Sequence, residues 1–176
     1  SPAYVRPVPL LRVYARFDTK WWKDTRVAVD SPVRYFIPIG NSHIVMASYT
    51  DGDLAREWYT LHKRDPECAE SRLVRLLRDV FGAHVPEPTW VRFYYWDTGV
   101  HLTPPLTARQ MSPSEWSVRV SHPNATLPLF LANEAYSGRY QQWVEGALQS
   151  AEQAVKGIRS MHRLRSEEHT SELQSR

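Results

Sequence analysis

The sequence has a single cysteine, Cys68, in 176 residues. That excludes an intramolecular disulfide framework and any metal centre built on cysteine thiolates. Its seven histidines are dispersed (His43, His62, His84, His101, His122, His162, His169) and show no His-Glu-x-x-His spacing, so no metal site is expected. No apolar run approaches the roughly 20 residues of a membrane span. No secretory leader precedes the first apolar segment, and the default expectation is a cytoplasmic protein. A serine elbow, a Walker loop and the phosphate-cradling Gly-x-Gly-x-x-Gly turn are all missing. Nor does charge of one sign dominate: 22 Lys and Arg stand against 19 Asp and Glu, a net of +3. The basic residues are scattered, and Arg72, Arg75 and Arg78, with Asp79 beside them, read as a solvated helix face, so no nucleic-acid footprint follows. Internal repeats and low-complexity tracts are absent too.

What the chain does have is aromatics, with seven Trp and nine Tyr. Residues 10–17 (LLRVYARF), 34–39 and 43–49 read as strands, the last two separated by the hairpin signal Gly40-Asn41-Ser42. Leu54, Ala55 and Trp58 recur at helical spacing behind Asp51 and Asp53, either of which can cap that helix. Pro66 suits the first turn of a second helix, whose stripe of Leu73, Leu76, Leu77 and Val80 stops at Gly82. Residues 90–96 (WVRFYYW) form another strand, with Val91, Phe93 and Tyr95 on one face and Arg92, Tyr94 and Trp96 on the other. Residues 103–128 are Pro- and Ser-rich and read as a surface excursion. A last helix is expected over about 142–158. Val144, Leu148, Ala151, Val155 and Ile158 make its apolar stripe, Glu145, Gln149, Glu152 and Lys156 face outward, and Glu152 and Lys156 sit at i,i+4.

Residues 128–155, PLFLANEAYSGRYQQWVEGALQSAEQAV, carry the most information. A short apolar strand ends in Asn133 and Glu134, a Gly/Ser/Arg loop follows, and a helix opens at Trp143-Val144-Glu145. A helix N-terminus presents unpaired N–H groups and positive potential to an electron-rich ligand, and the carboxylate can accept hydrogen bonds from ligand hydroxyls. The segment resembles the C-terminal flavin-contacting motif of the FAD-dependent amine oxidase superfamily, the monoamine, polyamine and amino-acid oxidase type. There an apolar strand and Ala-Gly-Glu precede an aromatic residue and Glu-Gly-Ala; here the segments are Ala132-Asn133-Glu134 and Trp143-Val144-Glu145-Gly146-Ala147. Three further segments match in family order: Leu10-Leu11-Arg12-Val13-Tyr14-Ala15 leading to Trp21-Trp22, residues 37–58, and Tyr95-Trp96-Asp97-Thr98-Gly99-Val100-His101.

The resemblance implies the following roles. Glu134 would hydrogen-bond the ribityl side of FAD, the alternative being an exposed acid at a strand end. Val144 would offer its backbone N–H to the flavin's pyrimidine oxygen. Trp143 would stack near the substrate amine, or else be a buried anchor. Arg12 falls where many members carry a lysine that holds a water near the flavin N5. An arginine does not readily release a proton, so substrate-carboxylate binding and a strand-end salt bridge are its other readings. Arg12 and Trp143 are thus the candidate catalytic positions, and Asn133, Glu134, Gln142, Trp143 and Val144 the candidate cofactor contacts. Asn133 replaces the family's glycine before the glutamate, and Asn tolerates positive φ. Gln142 replaces the glycine before the aromatic, a steric problem if backbone passes close to the ring. Cys68 does not match the covalent-attachment motif, so FAD would be non-covalent.

The expected fold is an α+β fragment of an α/β flavoprotein: an antiparallel substrate-domain sheet with helices, then a returning strand–helix of the FAD-binding domain. Residues 1–125 would belong to the substrate domain and 126–164 to the FAD-contact strand and helix. Residues 165–176 resemble the in-frame translation of a sequencing adapter and are read as an artefact tail. Ser1 in place of Met and the missing Gly-x-Gly-x-x-Gly turn place the N-terminal FAD-binding half upstream. The implied activity is oxidation of a primary or secondary amine, or of an amino acid, to an imine with O2 as acceptor, with the isolated piece inactive. The implied partners are a small amine or amino-acid substrate and that missing half, with no nucleic acid. A non-catalytic oxidoreductase-like protein using its aromatic surface for partner binding is the alternative.

Overall fold

The computed structural model describes residues 6–102 and 112–174. The chain forms two compact units, Pro7–Val100 and Ser1–Arg6 with His101–Arg176. The first is built on a five-stranded sheet: β1 (Arg6–Arg16), β2 (Val27–Ala28), β3 (Tyr35–Pro38), β4 (Ile44–Asp51) and β5 (Trp90–Leu102), in the spatial order β2-β3-β4-β1-β5. The β2–β3, β3–β4 and β4–β1 pairs are antiparallel. β5 runs against β1 in the same sense: Thr89 N donates to Arg16 O at one end, while Gly99 lies on Leu10 at the other. A Cβ on Gly99 would fall 2.1 Å from that of Leu10, so the approach demands glycine.

Period-2 patterning sets the two faces of the sheet. Leu11, Val13, Ala15, Val45 and Val91 are buried on one side, against helices α1 (Gly52–Arg64) and α2 (Pro66–Phe81). Trp58 of α1 is fully buried there, with its indole N–H donating to Pro32 O at 2.9 Å. α2 starts as its sequence dictates, with Asp65 accepting from Cys68 N, Pro66 in the first turn and Gly82 closing the helix at φ 102°. Asp51 does precede α1, but its carboxylate pairs with Arg34 and makes no cap hydrogen bond.

The second unit contains α3 (Pro113–Ser121), a 3₁₀ turn (Glu134–Tyr136) and α4 (Val144–Gln174). α3 lies where a surface excursion was expected. It is nucleated by a capping box, Ser112 accepting from Glu115 N while the Glu115 carboxylate accepts from Ser112 N. Residues 103–111 lie outside the described part. The expected return strand does not form: residues 128–133 have no regular ladder, and Leu127 and Leu129 are exposed. A strand needs a hydrogen-bonded neighbour, and none pairs with this segment among the described residues.

α4 starts two residues later than expected and runs sixteen past residue 158. The Glu152–Lys156 pair forms, at 2.8 Å, and lowers the Glu152 carboxyl below its usual range. The stripe of Val144, Leu148, Ala151, Val155 and Ile158, however, faces solvent. The helix instead buries a face of small residues, Gly146, Ser150 and Ala154, with half-buried Gly157. Close approach explains the choice. A Cβ on Gly146 would stand 2.1 Å from Tyr140 O, and one on Gly157 2.2 Å from the Phe130 ring. Ser150 Oγ accepts from Asn133 N and donates to the Asn133 or Ala147 carbonyl, both 2.9 Å away.

Candidate functional site

In the second unit the segment 132–144 is pinned by local hydrogen bonds. Ser137 Oγ accepts from Arg139 N and Tyr140 N and donates to Gln149 Oε1 at 2.7 Å. Trp143 N donates to Tyr140 O, and Gln142 takes φ 72°. That hydrogen bond with positive φ at the third residue is the signature of a type II turn, whose third position favours glycine. Gln142 therefore occupies a position made for glycine. Asn133, by contrast, is extended at φ −167°, and its side chain accepts from Ala135 N, so no left-handed backbone is required of it.

Glu134 is half-buried at the start of the 3₁₀ turn, not at a strand end, and its Oε1 lies 2.6 Å from His101 Nδ1. A carboxylate can only accept, so Nδ1 carries the proton. This partner was missed by the sequence reading, although His101 closes one of the segments singled out there. Trp143 and Val144 are exposed, at 69% and 71%, so neither is a buried anchor within this unit. They open α4, where Gly146 N and Ala147 N already donate to Trp143 O and the Val144 and Glu145 N–H groups are left to outside acceptors. Asn133, Glu134, Gln142, Trp143 and Val144 are thus gathered into one short stretch: a half-buried carboxylate, then an exposed apolar helix N-terminus.

Arg12 lies in the sheet unit, on the face of β1 away from the core. Its cross-strand neighbour is Tyr49, and this depends on a bulge. Val13 pairs with Ser48 but Tyr14 pairs with Met46, so Ala47 is an extra residue on β4. Beyond it the faces of β4 exchange: Ser48 and Thr50 turn inward and Tyr49 joins Arg12 outside. The guanidinium carbon sits 5.3 Å from the Tyr49 ring centre and 5.8 Å from that of Trp96. Tyr14 and Tyr94 meet edge to face at 5.7 Å beside it. Arg12, Tyr14, Ile44, Trp90, Tyr94 and Trp96 line a depression of about 440 Å³. No salt bridge engages Arg12 among the described residues, against the strand-end pairing considered above.

Residues 5–159 match the family model of the flavin containing amine oxidoreductases. The chain belongs to that family. No curated protein matches it. The flavin-containing amine oxidoreductases are oxidoreductases acting on small molecules, and the match spans both units. The residues present fit a flavin. The Val144 and Glu145 N–H groups opening α4 suit an electron-rich carbonyl edge, Trp143 and Val144 offer apolar surface to a planar ring, and Glu134 has a second carboxylate oxygen beyond the one facing His101. Among the described residues no helix is long and apolar enough to cross a membrane, and no acidic, histidine and cysteine cluster could hold a metal.

Proposed function

We propose that the chain is the C-terminal part of a flavin-dependent oxidase that converts a primary or secondary amine, or an amino acid, to an imine with O2 as acceptor. On this reading residues 1–125 serve the substrate and 126–164 the cofactor, bound without a covalent link. The pyrophosphate-binding turn lies N-terminal to Ser1. The observation that carries the proposal is the family match joined to the exposed opening of α4 behind Glu134.

A bound flavin would accept the electron pair of the C–H bond beside the amine and pass it to O2. The chain's own residues bind and orient. The first-turn N–H groups at Val144 would hold the flavin's pyrimidine edge, and the dipole of α4 favours negative charge there. Glu134 would accept from a ribityl hydroxyl, with His101 fixing the carboxylate through Nδ1–H. Trp143 would cover the substrate amine and exclude water from it. The test is the absorbance spectrum of the purified full-length gene product. A flavin band bleached by an amine or amino acid under anaerobic conditions is the expected result. A colourless, folded protein would refute the proposal and favour a non-catalytic binding role.

A further inference from the structure

We propose that His101 is the proton acceptor of the reaction: its Nε2 takes a proton from the substrate ammonium, and Glu134 orients the ring to receive it. The proposal rests on the oxidase reading above and adds to it a catalytic group outside the cofactor-contact stretch.

The chemistry asks for such a group. An aliphatic amine is mostly ammonium near neutral pH. Its nitrogen lone pair has to be free before the neighbouring C–H bond gives up its electron pair, because that lone pair becomes the second bond of the imine. In the step assigned to His101 an N–H bond of the ammonium breaks and an Nε2–H bond forms. The products are neutral amine and imidazolium, and nothing is oxidised or reduced. The imidazolium later returns the proton to water.

The geometry supplies the acceptor. Glu134 Oε1 stands 2.6 Å from His101 Nδ1, with the two side chains 21% and 27% exposed. The carboxylate accepts the Nδ1 proton, so the neutral ring keeps its lone pair on Nε2. A half-buried carboxylate behind the ring also stabilises the imidazolium that forms, and a base oriented by a second group is the arrangement that serves proton transfer. Glu134 is itself held in place. Asn133 Oδ1 caps its turn through Ala135 N, and Asn133 N donates to Ser150 Oγ of α4 at 3.0 Å.

The neighbourhood leaves the pair to this role. Arg139 lies over the Tyr140 ring, and Glu115 caps α3. Neither Arg119 of α3 nor Glu145 of α4 makes a salt bridge to His101 or Glu134. His122 of the same unit is arranged differently: its Nε2 donates to Leu127 O at 3.0 Å and its ring stacks on Phe130, so it offers that nitrogen to the loop and not to a ligand. Trp143, which on the reading above covers the amine, closes the same pinned stretch that Glu134 opens.

Anaerobic reduction of the flavin in the full-length protein by an amine, followed by stopped-flow absorbance, tests the assignment. His101→Asn keeps an N–H for Glu134 and has no base, whereas His101→Ala removes both. Each variant is loaded with FAD and compared with the wild type across pH. Near neutral pH each is expected to reduce its flavin about 10²–10⁴-fold more slowly, the range of general acid–base catalysis. The deficit should shrink as pH rises, because bulk water then supplies neutral amine, and added imidazole should restore part of the rate in His101→Ala. A His101→Asn protein as fast as the wild type, or a deficit that is the same at every pH, overturns the proposal. Failure of His101→Asn to hold flavin overturns it too, since His101 then serves cofactor binding alone. A wild-type protein whose flavin is bleached by amine keeps the oxidase reading whatever the variants do. A wild-type protein without flavin removes that reading and this one with it.

Discussion

Glu134, Trp143 and Gln142 make different demands, which single substitutions separate. Glu134 faces His101 at 2.6 Å and is proposed to reach a cofactor hydroxyl with its other oxygen. Glu134→Ala in the full-length enzyme should weaken flavin binding by roughly 1.5–3 kcal/mol, the scale of a hydrogen bond to a charged group. Trp143→Ala should leave flavin bound and depress amine turnover, since its proposed contact is the substrate. A purely structural role for both would lower stability together and leave the flavin content and kinetics of the folded fraction normal. Flavin content and turnover of each variant therefore decide, and full flavin affinity in Glu134→Ala would remove the motif assignment. Gln142 poses the opposite case, a side chain held at φ 72° where glycine is at ease. Left-handed backbone costs a non-glycine residue roughly 1–2 kcal/mol, while glycine's extra unfolded-state freedom costs about 0.5–1 kcal/mol. Gln142→Gly should thus raise stability slightly, by up to ~1 kcal/mol, and a drop of several degrees in melting temperature would show that the Gln142 side chain holds the turn.

Among the elements, α4 runs well past the end of the family match. Its first half is held by Ser150, Ala154 and the close contacts of Gly146 and Gly157, whereas the family match ends at residue 159. Residues 165–174 continue as helix. Glu, Leu and Gln favour a helix locally, and extending an existing helix needs no new nucleus. We propose that 165–176 are foreign to the fold, so deleting them should leave the melting temperature unchanged; a fall of several degrees would show a structural tail. What the sequence made legible follows the same division between local and non-local causes. The four longer strands, α1 and α2 were readable because period 2, period 3.6, Pro66 and Gly82 are local signals. The capping box at Ser112 and Glu115 was equally local and was overlooked among prolines and serines. The bulge at Ala47 was not readable, because register belongs to two strands at once. Nor was the buried face of α4, where hydrophobicity pointed to Val144, Leu148 and Val155 but packing distance selected glycine, serine and alanine. For the candidate site, motif order singled out the stretch from Asn133 to Val144, while the His101 partner and Tyr49's place beside Arg12 arise from contacts distant in sequence.

For the molecule as a whole, the exposed apolar residues set the strongest expectation. Leu127, Leu129, Trp143, Val144, Leu148, Val155 and Ile158 all remain exposed in the C-terminal unit. An isolated exposed Leu is ordinary, but a helix stripe with its neighbouring segment marks a surface that another partner covers. On the reading proposed here that cover is the cofactor and the polypeptide that holds its adenosine half. Phosphates need a cradle of backbone N–H groups, and the sequence contains no Gly-x-Gly-x-x-Gly turn to build one. The 176-residue chain should therefore bind FAD too weakly to keep it, and should associate through the uncovered stripe as concentration rises. Gel filtration of the chain after incubation with FAD checks both points at once. Protein eluting with less than stoichiometric flavin, and at a size that grows with loading, is the expected outcome. A monodisperse peak retaining one flavin per chain would mean that these residues alone complete the site, and that no N-terminal half need be invoked.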